Sequence, residues 1–162
     1  SRAKNMLHTA KIIHEEYQDE FPNTYDKLLT LKGIGKYTAA AIASFAFEEP
    51  VAVLDGNVYR VLARYFGIST DIASPKGTKE FSKLSQDLLP NTKSHIYNQA
   101  IMEFGAVQCS PQKPDCMYCP LRESCYAYNH SKQQELPVKI NKVKVKERFF
   151  AYTIFENDDK IA

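Results

Sequence analysis

The sequence predicts a mainly α-helical fold that changes to β-strand near its C-terminal end. Three observations lead there. Apolar residues recur at spacings of three and four through six successive segments before Cys109. Four cysteines then fall between Cys109 and Cys125, and after Gln133 the apolar spacing switches to alternation.

The first segment places Ala3, Met6, Leu7, Ala10, Ile13 and Tyr17 on one stripe with Lys4, His8, Lys11 and Gln18 between them, which predicts a helix with one buried face. Pro22 and Asn23 break it, and Thr24 is placed to cap a short helix carrying Tyr25, Leu28, Leu29 and Leu31 that stops at Gly33. From Tyr37 to Phe47, alanines with Ile42, Phe45 and Phe47 make a helix apolar on most sides, ended by Pro50. Val51 to Leu54 is a short extended connection, followed by a helix through Val58, Val61, Leu62, Tyr65 and Phe66 with Gly67 as its stop. Two further helices run through Phe81, Leu84 and Leu88 and through Ile96, Ala100, Phe104 and Val107. Val138, Ile140, Val143 and Val145 alternate with lysines and lead into the strand-like run from Phe149 to Phe155. Lys142, Lys144 and Lys146 read as the solvent face of a strand. Residues Glu156 to Asp159 read as a hairpin turn with no room for a completed return strand before Ala162.

With 162 residues and 44% hydrophobic content, the chain can bury a core, which excludes disordered and collagen-like classes. The run from Tyr37 to Phe47 is too short to cross a bilayer, and the first residues lack the apolar core of a signal peptide. An intracellular, monomeric protein is expected. A net charge of +2 is too small to argue for nucleic acid from the global field, so any such binding must rest on a local surface.

Leu31-Lys32-Gly33-Ile34-Gly35-Lys36-Tyr37-Thr38-Ala39 joins two helices through two glycines one residue apart. Without Cβ atoms, Gly33 and Gly35 let a phosphate approach backbone N–H groups beside a helix N-terminus, and Lys36 adds a charge. Taken alone, the plainer reading is a tight turn that needs positive φ. Asp55, followed by Gly56 and a helix, is in isolation an N-cap. Cys109, Cys116, Cys119 and Cys125 are spaced C-x6-C-x2-C-x5-C with Pro111, Pro114 and Pro120 among them. Four thiolates so close suit a tetrahedral zinc or an iron–sulfur cluster, with disulfides a weaker third reading.

In combination, the hairpin, the following Val-Leu-Asp-Gly-Asn-Val and the cysteine spacing closely resemble the helix-hairpin-helix DNA glycosylases, particularly the MutY-like adenine glycosylases. The resemblance covers nearly the whole chain. It implies an endonuclease III-like helical domain over residues 1–128 with a [4Fe–4S] loop at 109–125, a linker at 129–137 and the first strands of a Nudix-like domain at 138–162. It implies that Gly33, Gly35 and Lys36 grip the backbone of double-stranded DNA without reading sequence. Asp55 matches the catalytic aspartate, whose carboxylate stabilises the cation formed as adenine leaves deoxyribose, and Asn57 matches a neighbouring active-site residue. Tyr37 stands where endonuclease III-like enzymes carry a nucleophilic lysine, and tyrosine cannot form a Schiff base. The implied activity is therefore monofunctional hydrolysis of adenine mispaired with 8-oxoguanine or guanine.

Two rivals remain at this stage: a bifunctional glycosylase/lyase and a noncatalytic DNA-binding iron–sulfur module. The family's general-acid glutamate has no match here and is expected upstream of Ser1, so this chain is expected to be an impaired fragment cut short at both ends. Glu48, Glu49 and Glu103 read as ordinary helix-surface or helix-end charges, and Lys113 and Arg122 as residues the cysteine loop would hold toward phosphates.

Overall fold

The computed structural model describes residues 2–140, 147, 149–151, 156–157 and 160–161. Six helices precede the cysteines: α1 (Arg2–Tyr17), α2 (Tyr25–Thr30), α3 (Lys36–Phe47), α4 (Gly56–Phe66), α5 (Pro75–Asp87) and α6 (Ser94–Val107). A 3₁₀ turn at Arg122–Ser124 and the one-turn helix α7 (Tyr126–Asn129) close the cysteine loop. No helix among the described residues is long and apolar enough to cross a membrane.

Two apolar cores organise these helices. The smaller consists of Leu28, Leu31, Ala39 and Ala43, with Ile12, Ile13 and Tyr17 of α1 packed on it. The larger joins Val58, Leu62 and Ala63 of α4 to Phe81, Ala127 and Leu136. Helix α4 is thus the central element, and its stripe of small and branched residues lets α5, α6 and α7 all approach it. Leu136 belongs to this core at 5% exposure, so the chain after α7 stays on the helical body through Val138.

Several local expectations need correction. Helix α1 has no buried residue, and Met6 and Leu7 are 66% and 63% exposed, because only its C-terminal half lies against α2 and α3. Helix α3 buries Ala39, Ala40, Ala43 and Ser44 but leaves Phe45 and Phe47 partly in solvent, so it is one-sided rather than enclosed. It ends before Pro50, with Glu48 in the left-handed conformation at φ 54°. Thr24 has extended N-cap geometry but makes no side-chain cap. That work falls to Glu49, whose Oε2 accepts the Tyr25 N–H at 2.6 Å, so Glu49 is a structural acceptor rather than a plain surface charge. Gly67 ends α4 at φ 71°, as its position predicts.

Near the C-terminus, residues 138–140 and 149–151 are not strand. Val138 instead packs on the larger core and accepts the Ile72 N–H at 3.0 Å. Positions 141–146, 148 and 152–155, including the three alternating lysines, lie outside the described residues. The expectation allows no completed return strand, and the pairing observed is short: β1 (Glu156–Asn157) pairs antiparallel with β2 (Lys160–Ile161), Glu156 opposite Ile161 and Asn157 opposite Lys160.

Candidate active site and cysteine loop

Asp55 is the N-cap of α4, and its carboxylate is held at three points. Oδ1 accepts the backbone N–H groups of Asn57 and Val58, each at 2.8 Å, and Oδ2 accepts Asn57 Nδ2 at 2.9 Å. The capping reading and a chemical role are compatible, because a carboxylate oxygen keeps lone pairs beyond these bonds. The approach to Asp55 is also fixed. Asn98, 1% exposed, accepts the Val53 N–H at 3.1 Å and donates to Val51 O at 2.9 Å and Ser44 Oγ at 2.8 Å. Gln86 takes the Ala52 N–H at 3.0 Å and donates to Pro50 O at 2.9 Å. The extended connection before Asp55 is therefore pinned by side chains from α5 and α6.

Asn57 is gripped in turn. Arg60 Nη2 donates to Asn57 Oδ1 at 2.7 Å and to Gly105 O at 2.6 Å, while Nε donates to Cys109 O at 2.7 Å. A chain of hydrogen bonds thus runs from Asp55 through Asn57 and Arg60 to the first cysteine. Burial, and then the neighbouring Arg64 charge, pushes the Arg60 guanidinium below its ordinary range, with Cys109 and Asp55 opposing. Gly105 makes this geometry possible, since a Cβ there would stand 2.8 Å from Asn57 Cβ and 2.9 Å from its carbonyl oxygen. Gly105→Ala is expected to destabilise the protein by about 1–3 kcal/mol through overpacking, read as a lowered Tm in thermal unfolding. An unchanged Tm would contradict the close packing of α4 on α6.

In the hairpin, Gly33 has φ 90° and faces Asn5 closely, with 2.9 Å to Asn5 Cβ from a Cβ built there, so the turn reading holds at that position. Gly35 differs: it is the N-cap of α3 at φ −92°, with nothing within 4 Å of where a Cβ would be. Its glycine is not required by φ, and the open space there leaves backbone room for a ligand. Lys36 and Tyr37 both line a cavity of about 230 Å³ together with Tyr25, Leu54 and Tyr59, so residues from the hairpin and from the position before Asp55 share one wall. Tyr37 is 46% exposed, not a core tyrosine.

Cys109, Cys116, Cys119 and Cys125 are all unpaired, half-buried and set around one apolar cavity beside Arg64. Among the described residues, no three His, Cys, Asp or Glu side chains converge as a set to hold a metal ion. Burial, reinforced by the other thiols, pushes the Cys116 thiol up, and burial also raises Cys119. Arg122 donates to Met117 O at 3.1 Å and lies over the Tyr128 ring, so its guanidinium is engaged within the loop.

Sequence reasoning identified Asp55, Asn57, the hairpin and the cysteines but missed Arg60, Arg64, Asn98 and Gly105. The available signal was slight. Arg60 and Arg64 stand four apart on a helix whose other inward positions are apolar, yet they are 8% and 3% exposed.

A family described as the helix-hairpin-helix motif matches residues 16–45, the end of α1 through most of α3. The adenine DNA glycosylase of Buchnera aphidicola subsp. Schizaphis graminum is 36% identical over 158 residues, 96% of this chain and 46% of that protein. The Arabidopsis thaliana adenine DNA glycosylase is 38% identical, covering 96% of this chain and 25% of its own length, and the Homo sapiens one 39%, covering 84% and 25%. The chain thus spans less than half the length of these relatives. Among solved structures, a thermostable thymine-DNA glycosylase superposes with TM-score 0.73 at 33% identity, covering 79% of this chain and 58% of that one. A trapped endonuclease III–DNA covalent intermediate superposes with TM-score 0.70 at 29% identity, covering 80% and 59%. With the hairpin matched by a family profile, the helical body by endonuclease III-like structures and nearly the whole sequence by adenine DNA glycosylases, the chain is similar to the helix-hairpin-helix DNA glycosylases over almost all of its length.

Proposed function

We propose that this chain carries the DNA-gripping hairpin and catalytic aspartate of a monofunctional adenine glycosylase, acting on double-stranded DNA with adenine opposite 8-oxoguanine or guanine. The observation that carries the reading is the fixed Asp55 carboxylate at the start of α4, beside a cavity walled by the hairpin. As the bond between deoxyribose and adenine breaks, its electron pair leaves with the base and positive charge develops on the sugar. Asp55, part-buried and held by Asn57, faces that charge without having to reorganise. Water then adds to the sugar carbon. The departing base needs a proton, and the glutamate that supplies it in the family pattern has no match in this chain, so we place the general acid in the part of the relatives' length that this chain does not span.

Tyr37 supports hydrolysis without strand cleavage, since a phenol cannot form the imine that precedes lyase chemistry. Borohydride added during turnover is expected to trap no protein–DNA adduct on a denaturing gel, and a stoichiometric adduct would assign the chain to the bifunctional branch instead. Gly35 and Lys36 supply the phosphate site, with the open backbone of the α3 N-terminus as donor.

Although they do not converge as a metal-holding set, the four free thiols line one cavity, and we assign Cys109, Cys116, Cys119 and Cys125 as ligands of a [4Fe–4S] cluster, with Arg64 donating to Cys109 Sγ and Arg60 to Cys109 O on the side where thiolate charge would gather. When bound, the cluster would cross-link the loop, and a role in electron transfer is not needed for the hydrolysis. Anaerobically purified protein is expected to contain about four irons and four sulfides per chain. Stoichiometric zinc without iron would replace this assignment. Residues 1–128 form the glycosylase part, 129–137 the connection and 138–162 the opening of a Nudix-like domain that reads the base opposite adenine. The site of action is chromosomal DNA, in the cytoplasm or nucleoid of a bacterium or the nucleus or mitochondria of a eukaryote.

A further inference from the structure

Arg64 is 3% exposed and divides its donors between two segments far apart in sequence. One edge of the guanidinium faces the cysteine loop: Nη1 donates to Ser110 O at 2.8 Å, Cys109 O at 3.3 Å and Cys109 Sγ at 3.4 Å, and Nη2 donates to Pro111 O at 3.0 Å. The other edge, through Nε, donates to Leu136 O at 3.1 Å. Leu136 lies in a short strap on the helical body, residues 134–140. Val138 O accepts the Ile72 N–H at 3.0 Å, and the Ile140 N–H reaches Asp71 Oδ1 at 3.2 Å. Gln134 Nε2 ties the same stretch back to the loop through Gln112 O at 2.8 Å.

We propose that Arg64 is a positioning residue that couples the metal state of the four-cysteine loop to the seating of the strap at residues 134–140. The guanidinium is a rigid plate with donors in fixed directions, so it cannot follow one segment without turning away from the other. With a metal centre joining the four sulfurs, the Cys109–Pro111 acceptors have a fixed place, and the plate is aligned on Leu136 O. Without it, Cys109 is no longer tied to the other three cysteines and the alignment loosens. The chain after Ile140 is joined to the helical body through this strap, so the loop governs how firmly residues 134–140 hold that connection to the domain that carries Asp55. This inference rests on the metal reading of the cysteines, though not on which metal they hold.

The test uses the full chain, metal-loaded and after removal of the metal by a chelator, with metal and sulfide content measured in each sample. Trypsin cleavage after the exposed Lys139 reports on the strap, and hydrogen exchange at the Ile72 and Ile140 amides reports on its two anchors. Removal of the metal is expected to speed cleavage by about tenfold, equivalent to losing one or two hydrogen bonds of the strap. Loaded Arg64→Met is expected to keep the visible absorption of its cluster yet be cut as fast as metal-free wild type, with little further change when the metal is removed. Asp71→Ala, which loosens the strap at the anchor away from the cysteines, is expected to speed cleavage equally in both metal states. Should Arg64→Met fail to fold, the wild-type exchange rates decide alone, and equal protection of Ile72 and Ile140 with and without metal overturns the proposal. It is likewise overturned if metal removal opens the strap of Arg64→Met as much as that of wild type. A loaded protein holding zinc would refute the cluster assignment while leaving the coupling measurable.

Discussion

Asp55→Asn is expected to slow single-turnover release of adenine by about a thousandfold while leaving duplex binding nearly unchanged. A carboxylate about 4 Å from the developing positive charge, at an effective dielectric of ~20, contributes roughly 4 kcal/mol, and that converts to three orders of magnitude in rate. The substitution is nearly isosteric, and the amide oxygen of asparagine can still accept the Asn57 and Val58 N–H bonds that cap α4, with only the bond from Asn57 Nδ2 losing its acceptor. Folding should therefore survive, and the loss is assigned to charge. A variant that keeps near-normal excision would remove Asp55 from the mechanism.

Arg60→Met should have the next largest effect, on both stability and rate. Arg60 is 8% exposed, and methionine fills a similar volume without donors, which removes a partner from Asn57 Oδ1, Gly105 O and Cys109 O, the last keeping only Arg64 at 3.3 Å. We expect about 3 kcal/mol of lost stability in denaturant unfolding, less than three full penalties because some of these acceptors can find water. The rate of adenine release should fall between about tenfold and a hundredfold, since Asn57 would no longer be held in the position that orients the Asp55 carboxylate. Arg60→Lys, which keeps the charge but not the planar fork, should recover only part of either loss. Full stability and full rate in Arg60→Met would show that the chain of bonds from Asp55 to Cys109 is incidental.

The parts of this site that were legible in the sequence are those whose meaning is local. Gly33 and Gly35 punctuate a turn, Asp55 sits one residue before a helix, and four cysteines cluster within a short loop, so each could be placed without knowing the fold. Arg60, Arg64 and Asn98 could not, because the partners that bury them lie 45 to 72 residues away and meet them only once α4, α6 and the loop have packed. On a helical stripe, a buried arginine and a solvent-facing one have the same spacing; only the carbonyls it meets distinguish them. Gly105 carries no pattern at all, and its role appears only when the α6 backbone is seen against Asn57.

The same reasoning explains the misjudged elements. Periodicity correctly marked α1 as a helix but assigned its whole apolar stripe to a core, whereas packing reaches only Ile12, Ile13 and Tyr17. Thr24 has the residue type and backbone of a cap, yet Glu49 supplies the acceptor from 24 residues away. At Val138 the alternation that reads as strand coincides with side chains that anchor the strap, and docking on the core takes precedence over pairing.

The most direct measurement is single-turnover release of free base from a duplex with adenine opposite 8-oxoguanine, made with the protein at the length of its relatives. Free adenine and an intact strand bearing an abasic site are expected, with no release from a duplex containing an oxidised pyrimidine. Release of the damaged pyrimidine with cleavage of the strand, and none of adenine, would contradict this expectation.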